Sequence, residues 1–439
     1  MFRMEKKTKD NTTENITENE KVSVTKRVTV YLIAAMILVF AFSFLVTEKK
    51  DFSESENRKL ASWPEFSFAA LRSGSLTEGV KSYVSDHFPK RDELLGIASG
   101  AKRLAGQKEL GGVYLAEDGY LINAYEAPKN VEKDIAQWSK LAEKVEHAHV
   151  SLMLVPTAVS IYKDKLPANA PDRVAQEMYG LKSERPMGEL PAAVQQQTID
   201  RIYGEIQGKA DCINASAALH AAAGGEGRDA SDAYGDMAPV MEGMMSSVNG
   251  EALFYRTDHH WTTDGAYVGY LAFCASEGLA PVPLSEYACE TVTKDFQGTI
   301  YSKLNDPYFG SDEIVLYSDP SWQLTVDYGD AQSDSPYDLN YLEKRDKYSL
   351  FLSNQRSFIT ITNDAVEEEA GAIALVKDSY ANSFVPFLLN HYHTVYIFDT
   401  RYYKGGPSKF INEHPEISEV LILYNLGTLD QDTGIGGIY

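Results

Sequence analysis

The stretch Val28–Val46, VTVYLIAAMILVFAFSFLV, runs for 19 residues without a charged side chain. Few folds accommodate such a run. At about 1.5 Å of rise per residue, a helix over it matches a hydrocarbon core of about 30 Å. A soluble core helix seldom presents an apolar surface all round. Lys26 and Arg27 precede the run, and Glu48, Lys49, Lys50 and Asp51 follow it. Residues 1–27 carry 7 basic and 5 acidic side chains, net +2; taken from −22 for the whole chain, this leaves −24 for the rest. The positive-inside rule then sets a short tail, 1–27, in the cytoplasm, a single-pass anchor at 28–47 in the cell membrane, and the main domain outside. The competing reading is a cleaved signal peptide; the run is long for one, and no Ala-x-Ala follows it. The Lys-, Glu-, Asn- and Thr-rich tail is expected to be disordered.

A polyanion of this size is repelled by nucleic acid and by anionic headgroups, so no nucleic-acid role is expected. Three cysteines, Cys212, Cys274 and Cys289, make no disulfide framework and no Cys-x-x-Cys pair. Cys274, in the apolar stretch YLAFCASEG, reads as a buried small hydrophobe. A Cys274–Cys289 bridge is the alternative in an oxidising compartment.

Beyond the anchor, residues 48–107 read as a juxtamembrane helical segment. Val80, Tyr83, Val84, Phe88, Leu94, Leu95, Ile97 and Leu104 recur at threes and fours, which predicts two amphipathic helices broken at Pro89. GGVYLAEDGYLI predicts a hairpin, Val113–Leu115 and Tyr120–Ile122, turning at Glu117-Asp118-Gly119. From there helices and strands alternate. VEKDIAQWSKLAEKVEHA, QQQTIDRIYGEIQGK, residues 264–278, SYANSFVPFLLNH and SKFINEH read as helices. HVSLMLVPT, ADCINAS, GAIALVK, TVYIFDT and EVLILYN read as strands. Ala221–Gly250, rich in Gly, Met and Ala, reads as a loop. The alternation predicts one α/β domain over 108–439 with a mostly parallel sheet. The stretch at about 290–362, with alternating Ile314/Leu316 and Leu324/Val326, is expected to be a β-rich insertion.

Two segments carry reactive side chains. Arg256-Thr257-Asp258-His259-His260-Trp261 puts adjacent histidines beside an Asp just before a helix, in a chain with only 9 His. Lys377-Asp378-Ser379-Tyr380 follows the apolar strand AIALV and opens a helix. A serine at such a turn has its hydroxyl at the carboxyl edge of the sheet and its N–H at a helix start, where an oxyanion is stabilised. Serine needs a base, histidine is the usual one, and an Asp orients it. Asp258, one of His259 and His260, and Ser379 supply that set. The plain alternatives are that Ser379 or Asp378 is only a helix cap, that Thr262, Thr263 or Asp264 caps the next helix, and that Asp258 and His260 form a structural hydrogen bond. A metal site on Asp258, His259 and His260, joined by His391 and His393, is a further alternative. Adjacent histidines point apart and no His-x-x-x-His supports it, so no metal and no cofactor are expected.

These residues resemble the DHHW protein family of Gram-positive bacteria, whose motif stands here as Asp258-His259-His260-Trp261. SENRKLASWPEF, DHFPKRD, GVYLAEDGYLI, FYRTDHHWTTDGAY, KDSYANSFVPFL and VLILYN look like that family in order, from about residue 53 to the end. The family is in turn similar to the alginate O-acetyltransferases of the circularly permuted SGNH-hydrolase type. The resemblance implies a three-layer α/β fold in which Asp258 orients, His260 is the base, Ser379 is the nucleophile and His259 fills the variable position. Asn425, at the end of an apolar strand, resembles the oxyanion asparagine of the third block, although Gly-x-Asn-Asp is absent. Lys377 stands where Gly precedes Asp-Ser, which puts the tightness of that turn in question. Arg401 and Tyr402, with His259 and Trp261, are expected to line the cleft.

The function implied is transfer of an acyl group, most simply acetyl, to a hydroxyl of a surface polysaccharide. The donor would be passed across the membrane by a multispanning acyltransferase partner, with the juxtamembrane helices as a docking element. Water as acceptor makes the same site an esterase. The non-enzymatic alternative is a surface carbohydrate-binding or scaffold protein, for which the 4 Trp and 27 Tyr supply stacking faces. A pure binder has no need of Asp258, His260 and Ser379 together.

Overall fold

A computed structural model describes residues 26–53, 58–180, 194–224, 230–354, 356–430, 432 and 434–438. The cytoplasmic-tail expectation for 1–25 lies outside them. The chain divides into two compact units, one over 1–53 and 57–94 and one taking in 95–439.

In the first unit, helix α1, Lys26–Val46, is long and apolar enough to cross a membrane and has no buried residues in its most apolar window. Helix α2, Ser75–Asp86, lies in this unit; helix α3, Arg91–Leu104, the other member of the amphipathic pair, begins in it and has most of its residues in the second. The break between them falls at Pro89, whose ring removes a donor.

The second unit is built on an eight-stranded mixed sheet. Its strands in chain order are β1 His149–Val155, β2 Asp211–Ile213, β3 Leu324–Asp327, β4 Gln332–Ser333, β5 Phe358–Asn363, β6 Ala372–Lys377, β7 Thr394–Phe398 and β8 Ile417–Asn425. In space they run β4-β3-β5-β7-β6-β8-β1-β2. The five from β7 to β2 are parallel to one another, and β5, β3 and β4 add antiparallel neighbours at one side. The last half of the β-rich stretch, from Leu324 on, therefore contributes strands to the main sheet. Its remaining strands, Ala288–Phe296 and Asp312–Ser318, make a separate antiparallel pair.

The alternation along each strand explains why both sheet faces are dry. Met153, Val155, Ile373, Leu375, Leu421 and Leu423 pack with helix α6, Thr263–Glu277, and with Phe384 and Phe387. Their neighbours Leu152, Leu154, Ala374, Val376, Val420 and Ile422 pack with Trp138 and Leu141 of helix α4, Val131–Lys144, and with Ile199, Ile202 and Ile206 of helix α5, Gln195–Ile206. Continuous apolar runs are the signature of parallel strands covered on both sides.

Three expectations are corrected. Within Ala221–Gly250 the described residues hold helical turns at Ser231–Tyr234 and Ala238–Met245; Ala and Met are strong helix formers, and Pro239 fits a first turn. SYANSFVPFLLNH is two short pieces, a 3-10 turn at Ser379–Ser383 and an α turn at Val385–Leu388, with Pro386 unable to continue the first. Cys212, Cys274 and Cys289 are all free, so the Cys274–Cys289 bridge is not formed; Cys274 is buried in α6, where burial pushes its thiol up to about 12. The hairpin forms, Val113–Leu115 pairing antiparallel with Leu121–Asn123, its second strand one residue later than expected.

Candidate functional site

Strand β6 is central and parallel to both neighbours, so its carboxyl end opens where an α/β sheet binds ligands. Asp378 follows it with an ordinary extended backbone and caps the 3-10 turn, its Oδ1 accepting from the Tyr380 N–H at 2.9 Å. Its Oδ2 accepts from the Asn425 N–H at 2.7 Å and the Thr428 hydroxyl at 2.6 Å. Asp378 is thus spent on holding β6, β8 and the turn together, and Ser379, the first residue inside the turn, is not needed as its cap. No glycine is needed before it: Lys377 is buried with its ammonium 3.2 Å from Asp399.

The partner loop folds back on itself. Phe254 bridges Trp261, and the Tyr255 N–H donates to the His260 carbonyl at 3.2 Å. Thr262 caps α6, accepting from the Gly265 N–H at 3.2 Å. The Trp261 indole N–H donates to the Tyr380 carbonyl at 2.8 Å, and the Tyr380 hydroxyl donates to the His259 carbonyl. These two bonds fasten the loop to the Ser379 turn, across 119 and 121 residues of chain.

The side chains meet there. Nε2 of His260 lies 2.8 Å from Ser379 Oγ, and Nδ1 of His260 lies 2.5 Å from Asp258 Oδ1. Asp258 Oδ1 also accepts from the His260 N–H at 3.0 Å, while Oδ2 accepts from the Thr299 N–H at 2.8 Å and its hydroxyl at 3.0 Å. Four donors saturate the buried carboxylate. Burial alone would raise its pKa, but the His259 and His260 imidazoles hold it well below the usual carboxylate range. An ionised Asp258 accepts only, so Nδ1 of His260 carries the proton and Nε2 is left to accept from the Ser379 hydroxyl. Burial, and then the charge of His259, push His260 down to about 4, which keeps it a neutral base in ordinary conditions. His259 is raised, the Asp258 charge outweighing burial. Its Nδ1 lies 2.7 Å from Thr299 Oγ1.

Four residues here were not singled out by sequence reasoning. Tyr348 stacks flat on His260, with centroids 3.7 Å apart and planes 9° from parallel, and its hydroxyl donates to the Ser379 carbonyl at 3.1 Å. Thr299 orients Asp258. Gly298 permits it: a Cβ there would lie 2.2 Å from the Asp258 Cβ. Asn382, one 3-10 turn beyond Ser379 and so on the same face, is buried with Oδ1 unpartnered. Nothing local marks the first three, which come from the β-rich stretch.

Asn425 is placed differently from expectation. Its amide donates to the carbonyls of Val155 and Pro156 at 3.0 and 3.3 Å, and its Oδ1 accepts from the Gly427 N–H at 2.8 Å. The side chain braces β8 against β1, and both amide hydrogens are spent there. Arg401 forks onto Asp399 at 2.8 and 2.5 Å, and the exposed Tyr402 ring sits 5.5 Å from its guanidinium. Asp258, His259 and His260 each offer a ligand atom within 4.8 Å of the others. His391 stands elsewhere, on Tyr270, and His393 on the Val366 carbonyl.

The loop, the serine turn and the stretch between them are also what known proteins share with this chain. Residues 234–398 match the DHHW protein family. Among solved structures, a DHHW family protein from Eubacterium siraeum is 22% identical, covering 74% of this chain and 95% of that one, with a TM-score of 0.56. PatB1 of Bacillus cereus is 17% identical over 74% of this chain and 99% of that one, with a TM-score of 0.52. Solved with a sulfonyl adduct, it is 16% identical over 72% and 97%, with a TM-score of 0.50. The O-acetyltransferase domain of Pseudomonas putida AlgJ is 14% identical over 73% and 92%, with a TM-score of 0.40. No curated protein matches. The DHHW-family fold is thus the fold of this chain.

Proposed function

We propose that this DHHW-family chain is an extracytoplasmic O-acyltransferase, acting with acetyl on a cell-surface polysaccharide, on a circularly permuted, three-layer SGNH-hydrolase-like fold. The observation that carries this reading is the continuous hydrogen-bonded chain Asp258–His260–Ser379, with a neutral imidazole between a locked carboxylate and the serine hydroxyl. Ser379 attacks the acyl carbonyl while His260 takes its proton; the leaving group departs with that proton. A sugar hydroxyl, deprotonated by His260, then attacks the acyl-serine and regenerates the enzyme. The Ser379 N–H, which has no acceptor among the described residues, is the donor for the oxyanion.

The reading places α1 in the cell membrane as an anchor, with its amino end in the cytoplasm. The donor comes from a multispanning membrane acyltransferase. Water in place of the sugar makes the same site an esterase. The experiment is hydrolysis of p-nitrophenyl acetate, with and without acceptor oligosaccharide, by the intact chain and by Ser379→Ala. A loss of about 10³-fold or more in the variant, with its fold intact, is expected. Equal rates in both would favour a carbohydrate-binding protein that has kept the fold.

A further inference from the structure

The first unit carries an apolar surface that the chemistry above does not use. Trp63, Phe66, Phe68 and Leu71 are 62, 67, 82 and 52% exposed, four large apolar side chains within nine residues. The helix Phe68–Ser73 that presents two of them buries none of its residues. Phe66 and Phe68 touch edge to face, 5.7 Å apart, so the group is contiguous. Exposed apolar patches of this kind mark interaction sites.

Its position is fixed by contacts to the end of α1. The Trp63 ring meets Tyr83 edge-on at 5.1 Å, Tyr83 meets Phe44 at 6.2 Å, and Phe40 meets Phe88 at 5.3 Å. Phe40 and Phe44 lie in the last two turns of α1. The Ala61 N–H donates to Asp86 at 2.8 Å, the Leu60 N–H donates to the Asp51 carbonyl at 2.9 Å, and His87 Nε2 lies 3.0 Å from the Lys50 carbonyl. Gly79 lets Pro64 lie on α2, since a Cβ there would come within 2.8 Å of the proline ring. The aromatic group is therefore held beside the carboxyl end of α1, the level at which a spanning helix passes from hydrocarbon to headgroups.

We infer that Trp63, Phe66, Phe68 and Leu71 dip into the headgroup–acyl boundary of the same bilayer, a second, peripheral contact that sets the tilt and rotation of α1. Tryptophan and its aromatic neighbours partition to that boundary, and such anchors govern helix tilt. The occupant is lipid rather than a second protein: the patch is fastened to the end of the spanning helix, and exposed aromatic side chains need no complementary shape to enter the headgroup boundary. The inference rests on the reading of α1 as a spanning helix, and its test separates the two.

The full chain and its Trp63→Phe variant are reconstituted in phosphatidylcholine–phosphatidylglycerol vesicles whose acyl chains carry bromine near the headgroup or near the bilayer centre. The other tryptophans are shielded: Trp138 and Trp261 are fully buried and Trp322 partly so. The expected result is flotation with the vesicles and loss of most of the Trp63 emission to shallow bromine, with far less loss to deep bromine. Trp63→Phe should lack the quenched component. Flotation with quenching equal in the two chains would overturn this inference and leave the anchor standing. Cross-linking of Phe66→Cys chains to one another in that case would assign the patch to a second copy. Failure to float would overturn both readings.

Discussion

At the residue scale, the site is a problem of placing one carboxylate. Asp258 is buried and saturated by four donors, so its position dictates that of His260, and His260 dictates the proton state of Ser379. Gly298 is the tightest constraint. Gly298→Ala must displace Asp258, and misplacement of about 1 Å at such a site costs roughly 10²-fold in rate. The prediction is a fall in kcat of that order together with a lowered melting temperature, read by ester hydrolysis beside thermal unfolding. A second prediction concerns pH. His260 must be neutral to act as base, and its pKa is lowered to about 4, so activity should persist as pH falls through 6.5, the ordinary histidine value. Part of that lowering is the charge of His259. In His259→Gln the acid limb of kcat/KM should therefore move to higher pH. An unmoved limb, or one already at 6.5 in the parent, would contradict the assignment.

At the element scale, strands show in the sequence as continuous apolar runs, because a parallel sheet covered on both faces has no solvated side to encode. HVSLMLV, AIALV, TVYIF and VLILYN were each legible on that ground, and so was the serine at the strand-to-helix turn. The antiparallel side of the sheet was not. Leu324 and Val326 alternate, but whether such a strand joins the main sheet or stands apart depends on partners such as Thr360 and Ile361, some 35 residues on. Tyr348 and Thr299 were missed for the same reason: their roles exist only after the chain has closed. The opposite end of the sheet offers its own test. His149, opening β1, sits 2.9 Å from Asp211 of β2, 3.0 Å from Glu419 of β8 and 3.1 Å from Glu277 of α6. Burial lowers its pKa, but the three carboxylates outweigh that and raise it to about 9. A histidine raised on folding stabilises fully below its unfolded value of about 6.5 and loses that contribution as pH rises through 9. His149→Ala should lower the melting temperature by a few degrees near pH 6, and by progressively less as pH approaches 9 and above.

At the scale of the whole molecule, an apolar helix and an acidic α/β unit share one chain. The positions that matter most come from far apart: Asp258 and Ser379 are separated by 121 residues, and the loop and turn that carry them are tied by Trp261 and Tyr380. The decisive measurement is the mass of the intact full-length chain, in detergent, quenched in acid shortly after mixing with p-nitrophenyl acetate. One acetyl group is expected, mapped to the peptide holding Ser379, present in the parent and absent from both Ser379→Ala and His260→Ala. No adduct in the parent, or an adduct retained in Ser379→Ala, would contradict it.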